Sequence, residues 1–420
     1  MGGGAFPVFR FPSSRVGWVF PPYYHCSVNR VATGLDQLLQ DPSLVRGRRW
    51  AMVSNHAAVT SGLEPGRLAL SNICGPPVRL LAPEHGLDGV AQDMEPVADE
   101  RDPLTGAPVR SLYGSDPATL EPTVQDLDRL DVVVVDLPDI GTRYYTYAAT
   151  MDAVMAGCQA AAVECVVLDR PNPLGGVHRE GGLVRPGFES FVGRIPVPVR
   201  HGLTLGELAL LLQQDRYPEL ELTVVTCRGW RRSMDLDAAG LAWVAPSPNM
   251  PTLETAFLYP GLCLVEATTL SEGRGTTQPF KLVGAPWLDG SSLSARLGSL
   301  RPPGIGIRPA RFRPAFGKHA GKICSGLELH VTDRVAFRPV AFGVVLLQLV
   351  RELKPRHFAW RREAYEFVAE VPAIDLLTGS PAARAVIEGD ADLDALLEGW
   401  RVEVAEFEER LENIRLYRTE

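Results

Sequence analysis

The segment Asp131-Val-Val-Val-Val-Asp136-Leu-Pro-Asp139-Ile-Gly-Thr-Arg143-Tyr-Tyr145-Thr-Tyr147-Ala-Ala-Thr-Met-Asp-Ala-Val-Met-Ala-Gly-Cys158 reads as a strand, a polar turn and the helix that leaves it. Four consecutive valines between two aspartates are β-branched and uniformly apolar, the pattern of a strand buried on both faces. From Tyr147 the Ala-rich apolar spacing fits a crossover helix. The same form recurs on either side. Arg49-Trp-Ala-Met-Val-Ser54 ends in Asn55-His56, Val78-Arg-Leu-Leu-Ala82 ends in Pro83-Glu84-His85-Gly86, and Val163-Glu-Cys-Val-Val-Leu168 ends in Asp169-Arg170-Pro171-Asn172. Four buried strands alternating with helices predict an α/β fold with a parallel sheet. In such sheets ligands bind beyond the carboxyl ends of the strands, which is where these polar clusters fall.

Working outward, Gly34-Leu-Asp-Gln-Leu-Leu39 has helical spacing, and Thr204 followed by Glu207 is a capping box opening a helix to Gln213. Leu222-Thr-Val-Val-Thr226 reads as a further strand. After Arg228-Gly-Trp230 the texture turns to Pro- and Gly-rich loops and then to mixed strand and helix, including the amphipathic Val340–Val350 run. The expected organisation is an irregular lead-in over 1–32, a sheet domain over 33–235 and a C-terminal domain over 236–420 that contributes cleft loops.

The 420 residues carry 42 Lys+Arg against 50 Asp+Glu, a net charge of −8, with 45% hydrophobic content. This balance excludes disorder and argues against a polyanion as main partner, since no basic stripe is present. No apolar run approaches the ~20 residues of a membrane helix. Seven scattered cysteines show no CxxC or zinc spacing, so free thiols in a reducing compartment are expected. Val16-Gly-Trp-Val-Phe20 is too short for a signal-peptide core, which implies a cytoplasmic protein as written, with export as the alternative if the start lies elsewhere.

Four clusters could carry chemistry. Glu84, His85 and Asp88 lie between glycines, and a buried carboxyl there suits a general acid. Asp136, Asp139, Arg143, Tyr145 and Tyr147 supply a guanidinium for a planar carboxylate and rings for a sugar. Asp169 and Asn172 sit in a rigid Pro- and Gly-rich turn. Ser271-Glu272-Gly-Arg274-Gly-Thr276 lacks the spacing of a phosphate loop and reads as a polar hand over a ligand. No HExxH, GxSxG or Cys/His pair is visible, so neither a metal, a cofactor nor an acyl nucleophile is expected.

These blocks, in order, resemble the NamZ-type exo-β-N-acetylmuramidases. The resemblance rests on Ser54-Asn55-His56, Pro83-Glu-His-Gly86, Ser111-Leu-Tyr-Gly114, Asp136 through Tyr147, Leu168-Asp-Arg-Pro-Asn-Pro-Leu174, Pro198-Val-Arg-His201-Gly202, Pro246-Ser-Pro-Asn249-Met-Pro251, Leu270-Ser-Glu-Gly-Arg-Gly-Thr276 and Gly284-Ala-Pro-Trp287. It implies a Rossmann-like N-terminal domain, a smaller C-terminal α/β domain, and release of terminal N-acetylmuramic acid from peptidoglycan fragments. The sequence departs from the family at Tyr144 and at Glu266-Ala267-Thr268, where a glycine is usual.

The leading expectation is a glycosidase with Glu84 as general acid and Glu266 or Glu272 as its partner. Arg143 or Arg274 would hold the lactyl carboxylate. Asn55, His56, His85, Asp139, Tyr145, Asn172, His201 and Asn249 complete the expected sugar-binding set. The alternatives are a sugar-fragment binding protein without catalysis and a metal-dependent hydrolase using His56, His85 and Asp136. The two-carboxylate reading requires that Glu84 meet Glu266 or Glu272 in a cleft between domains.

Overall fold

The computed structural model describes residues 30–420. Of the expected lead-in, only Arg30–Ala32 falls within them, and Ala32 bridges to Arg228. Seven strands form the first sheet: β1 (Trp50–Ser54), β2 (Arg79–Ala82), β3 (Glu100–Arg101), β4 (Pro108–Ser111), β5 (Val132–Asp136), β6 (Glu164–Leu168) and β7 (Leu222–Val225). Their order is β3-β4-β2-β1-β5-β6-β7, parallel throughout except for the short edge strand β3. The expected strands end within a residue or two of these bounds. β3 and β4 were not legible, because β3 is two exposed charged residues and β4 a four-residue Pro-Val-Arg-Ser segment with no apolar run.

The valine run does what its composition demands. Ala51, Val53, Val133, Val135, Cys165 and Val167 face one core, and Trp50, Met52, Val132, Val134, Val166 and Leu168 face the other. Burying each valine stabilises the fold by roughly 1.5–3 kcal/mol. Helices α1 (Gly34–Gln40) and α2 (Gly66–Cys74) cover the second face, while α4 (Tyr147–Ala161) and α5 (Leu205–Asp215) cover the first; α3 (Val124–Leu127) is a single turn. Thr204 caps α5 with the expected reciprocal box to Glu207. The six described cysteines outside the lead-in are free thiols.

Beyond the irregular stretch 226–252, α6 (Leu253–Leu262) begins the second layer. Strands β8 (Leu282–Ala285), β9 (Ile305–Phe312) and β10 (Cys324–Val331) form an antiparallel sheet in the order β8-β10-β9. Helices α7 (Gly290–Ser299), α8 (Pro339–Leu353), α9 (Ala373–Thr378), α10 (Ala382–Glu388) and α11 (Leu393–Glu409) surround it. The backbones of α6 and α8 meet at Gly261 and Gly343, where a Cβ on Gly343 would stand 2.4 Å from the Gly261 carbonyl oxygen. One apolar core runs from the sheet through α4 and α6 into α8, so the two layers are seated on each other by burial.

Candidate active site

Glu84 leaves β2 on a turn in which His85 and Gly86 both adopt left-handed backbone, with φ of 71° and 79°. A non-glycine residue in that region costs energy and marks a place where the turn is held for a purpose. The Glu84 carboxylate accepts from Thr146 Oγ1 at 2.7 Å and from the Met94 N–H at 3.2 Å. Thr146 stands at the N-cap of α4 but makes no cap bond, because its hydroxyl serves Glu84 instead. The His85 ring is fixed through Nδ1 to the Ala91 carbonyl, 3.0 Å away.

The second layer supplies Glu266, Arg274, Tyr365 and Glu366 to a cleft that Glu84 also lines, with Asp93, Tyr145, Ser247, Asn249 and Tyr259 on its walls. Arg274 gathers three carboxylates: Nη1 lies 2.7 Å from Glu266 and 3.6 Å from Glu272, and Nε lies 3.2 Å from Asp93. Its guanidinium rests over the Phe280 ring. Glu266 also accepts from the Tyr365 hydroxyl at 2.9 Å. Burial pushes the Glu266 carboxyl up against the pull of Arg274, whereas at Glu272 burial is outweighed by Lys318 and Arg274 and the pKa falls. Lys318, at 3.0 Å from Glu272, also donates to the Val265 and Glu266 carbonyls.

The expected site residues therefore divide. Glu84, Glu266, His85, Tyr145, Asn249 and Arg274 line one cleft. Tyr145 presents a buried hydroxyl that no protein acceptor satisfies, and Asn249 donates to Gln92 at 3.0 Å. Glu272 is not among the residues lining this cleft; it lies 3.6 Å from Arg274 and 3.0 Å from Lys318. Arg143 lies away from it, its guanidinium donating to the carbonyls of Gly182, Val197 and Leu377 at 2.6–2.7 Å inside the core. Three of its five N–H donors are taken by backbone carbonyls, and its Nε is buried without a partner.

Asn55 and Asn172 serve the chain as well. Asn55 bonds the Tyr147 hydroxyl and the Pro246 carbonyl, and Asn172 donates to Leu203 O while accepting from Leu174 N. Gly141 is required beside it, since its φ is 79° and a Cβ would meet Asn172 Oδ1 at 2.3 Å. His56 bonds Ala245 O. His201 is buried with Nε2 3.6 Å from Asp139, and Asp139 lines a separate, more apolar cavity beside Trp243 and Arg170. Asp136 is held by both oxygens to Arg170, at 2.6 and 2.9 Å. The trio His56, His85 and Asp136 does not converge, and among the described residues no group of three or more His, Cys, Asp or Glu side chains forms a metal-binding cluster.

Sequence reasoning missed Asp93, Lys318, Tyr365 and Glu366. Asp93, Tyr365 and Glu366 lie in no Gly- or Pro-marked turn at an expected strand end, and Lys318, which follows Gly317 between β9 and β10, sits beside strands the sequence did not delimit.

A parallel-sheet domain and a smaller antiparallel domain, closing on a carboxyl- and tyrosine-lined cleft, define a two-domain α/β hydrolase of the glycosidase class. The chain belongs to the exo-β-N-acetylmuramidase NamZ family: the model of its N-terminal domain matches residues 50–254 and that of its C-terminal domain residues 257–417. The peptidoglycan β-N-acetylmuramidase NamZ of Bacillus subtilis (strain 168) is 39% identical over 392 residues, covering 92% of each chain. Two crystal structures of DUF1343 family proteins from Bacteroides fragilis NCTC 9343 share the fold. They have TM-scores of 0.82 and 0.73 at 30% and 27% identity, each covering 93% of this chain and 99% of its own. No helix among the described residues is long and apolar enough to cross a membrane.

Proposed function

We propose that the cleft removes a terminal N-acetylmuramic acid from the non-reducing end of peptidoglycan fragments. The observation that carries this reading is the meeting of Glu84 from the sheet domain with Glu266 and Arg274 from the second layer in one cleft. Glycoside hydrolysis needs one carboxyl to protonate the leaving oxygen and another to act at the anomeric carbon, as nucleophile or through water. Muramic acid differs from N-acetylglucosamine by a lactyl ether carrying a carboxylate. Arg274 is the guanidinium on the cleft wall, and a fork of donors in a largely dry site suits that planar anion. Tyrosine rings at positions 145 and 259 offer apolar faces to the sugar.

The test is hydrolysis of a chromogenic β-N-acetylmuramide beside the matching β-N-acetylglucosaminide. Turnover of the first and not the second supports the reading. Binding of the muramide without turnover would favour a sugar-fragment binding protein, and equal turnover of both would remove the lactyl group from the specificity.

A further inference from the structure

The cleft holds a carboxyl that no sequence motif marks. Glu366 occupies a two-residue turn closed by reciprocal backbone hydrogen bonds between Tyr365 and Val368, at 2.9 and 3.0 Å. Both central residues, Glu366 and Phe367, have left-handed backbone, with φ of 46° and 69°. Such a turn favours Asn-Gly, and here it carries a glutamate and a phenylalanine. Left-handed backbone held by non-glycine residues collects at functional sites, and Glu84 across the cleft is followed by a comparable pair. The turn is anchored by Tyr113, whose ring packs on Phe367 with centroids 6.0 Å apart and whose hydroxyl donates to Glu366 at 3.0 Å.

The distribution of partners separates the carboxyls. Arg274 engages Glu266, Asp93 and Glu272, and Lys318 engages Glu272. Glu84 accepts two hydrogen bonds, one at each oxygen, the arrangement that suits an anion. Among the described residues Glu366 pairs with no cation and accepts only from the Tyr113 phenol. The groups facing it are Glu84, Glu266 and Asp93, all acidic, so burial first and their negative charge next hold its carboxyl well above the usual carboxylate range. Among the described residues it is also the cleft glutamate that lies in no ion pair and is held by a phenol on a strained turn.

We propose that Glu366 is the acid that protonates the glycosidic oxygen, with Glu84 as its catalytic partner in the same cleft. The role rests on the glycosidase reading above and replaces Glu84 in the acid role that its strand-end loop suggested. As the C1–O bond breaks, the Glu366 O–H proton passes to the departing oxygen and the aglycone leaves as an alcohol. Glu366 is left a carboxylate. Water then supplies the hydroxyl at the anomeric carbon, directly or after attack by Glu84, and its remaining proton restores the Glu366 carboxyl.

A sugar alkoxide needs that proton to leave, and a dinitrophenolate does not. The experiment therefore compares Glu366→Gln and Glu84→Gln on β-1,4-linked N-acetylmuramyl-N-acetylglucosamine and on 2,4-dinitrophenyl β-N-acetylmuramide. Glu366→Gln should lose ~10²–10⁴-fold in kcat on the disaccharide, stay within ~10-fold on the activated glycoside, and lose the alkaline limb of its pH profile. Glu84→Gln should lose activity on both. Equal losses of Glu366→Gln on the two substrates, or full activity on the disaccharide, would overturn the assignment. If Glu366→Gln does not fold, Glu366→Asp, which keeps a shorter carboxyl, is read for the same split between substrates. A parent enzyme that turned over neither glycoside would overturn the proposed function itself, and this role with it.

Discussion

Arg274 Nη1 stands 2.7 Å from Glu266 Oε1, and both side chains are almost wholly enclosed. The same guanidinium reaches Asp93 and Glu272, so one cation organises three acids that the chain brings from two layers.

Replacing Arg274 by Met should therefore do more than weaken the substrate. Removing one partner of a buried pair leaves the other charge uncompensated, at a cost of about 3–5 kcal/mol. Thermal unfolding should show that loss, and Arg274→Lys, which keeps the charge but not the fork, should fold while losing preference for the muramide over the glucosaminide. Unchanged selectivity in the lysine variant would remove Arg274 from lactyl recognition.

Glu84→Gln keeps the side-chain shape but turns one acceptor oxygen into a donor, facing either the Thr146 hydroxyl or the Met94 N–H. Turnover of the muramide should fall by ~10²–10⁴-fold with a far smaller change in KM. A variant as fast as the parent would make Glu84 structural.

Arg143 makes the opposite prediction. Arg143→Met strands the carbonyls of Gly182, Val197 and Leu377 in the core, a penalty on the order of 3 kcal/mol or more. The melting temperature should drop while the ratio of muramide to glucosaminide turnover stays that of the parent. A change in that ratio with stability intact would return Arg143 to the substrate site.

Glu180 predicts a pH dependence of stability. It is buried between Arg200 and the N-terminus of α8, accepting from the Ala341 N–H at 2.7 Å, and burial pushes its carboxyl up to about 7. A folded-state pKa above the unfolded value means that the folded chain holds the proton more tightly. The stabilisation is complete below the unfolded pKa near 4.3 and is lost as pH rises to about 7, a change on the order of 3 kcal/mol. Unfolding in urea between pH 4 and pH 8, repeated with Glu180→Gln, should show a shallower decline over that window in the variant. Equal slopes would show that Glu180 titrates alike in both states.

Incubation with EDTA followed by dialysis should leave muramide turnover unchanged, because the catalytic groups proposed are carboxyls. Loss of activity restored by a divalent cation would revive the metal-dependent reading.

The regular elements of the sheet domain were legible because their causes are local. Uniform valine, isoleucine or leucine runs bury on two faces whatever they pack against, and Thr204 with Glu207 caps a helix using four consecutive residues. Strands β3 and β4 were not, since the pairing of β4 with β2 and of β3 with β4, rather than composition, makes them strands. At the site, the position of Glu84 beyond β2 followed from sheet topology, and the loop carrying Arg274 from its glycines. The sequence also showed Arg143, Asn55 and Asn172 as polar groups fit to hold a ligand. It could not show that backbone carbonyls at 182, 197, 246, 203 and 377 would claim them first. A polar side chain buried on folding must bond whatever the packed chain leaves unpaired nearby, and that inventory exists only once distant segments meet. Glu366 is the converse case: an unremarkable glutamate in Arg361-Arg-Glu-Ala-Tyr-Glu366-Phe367, brought into one cleft with Glu84 by the way the second layer closes on the first. Residue type and local pattern lie in the sequence. Which carboxyl shares an arginine and which meets only a phenol depends on distances of a few ångströms between residues far apart in the chain, and only tertiary packing sets those.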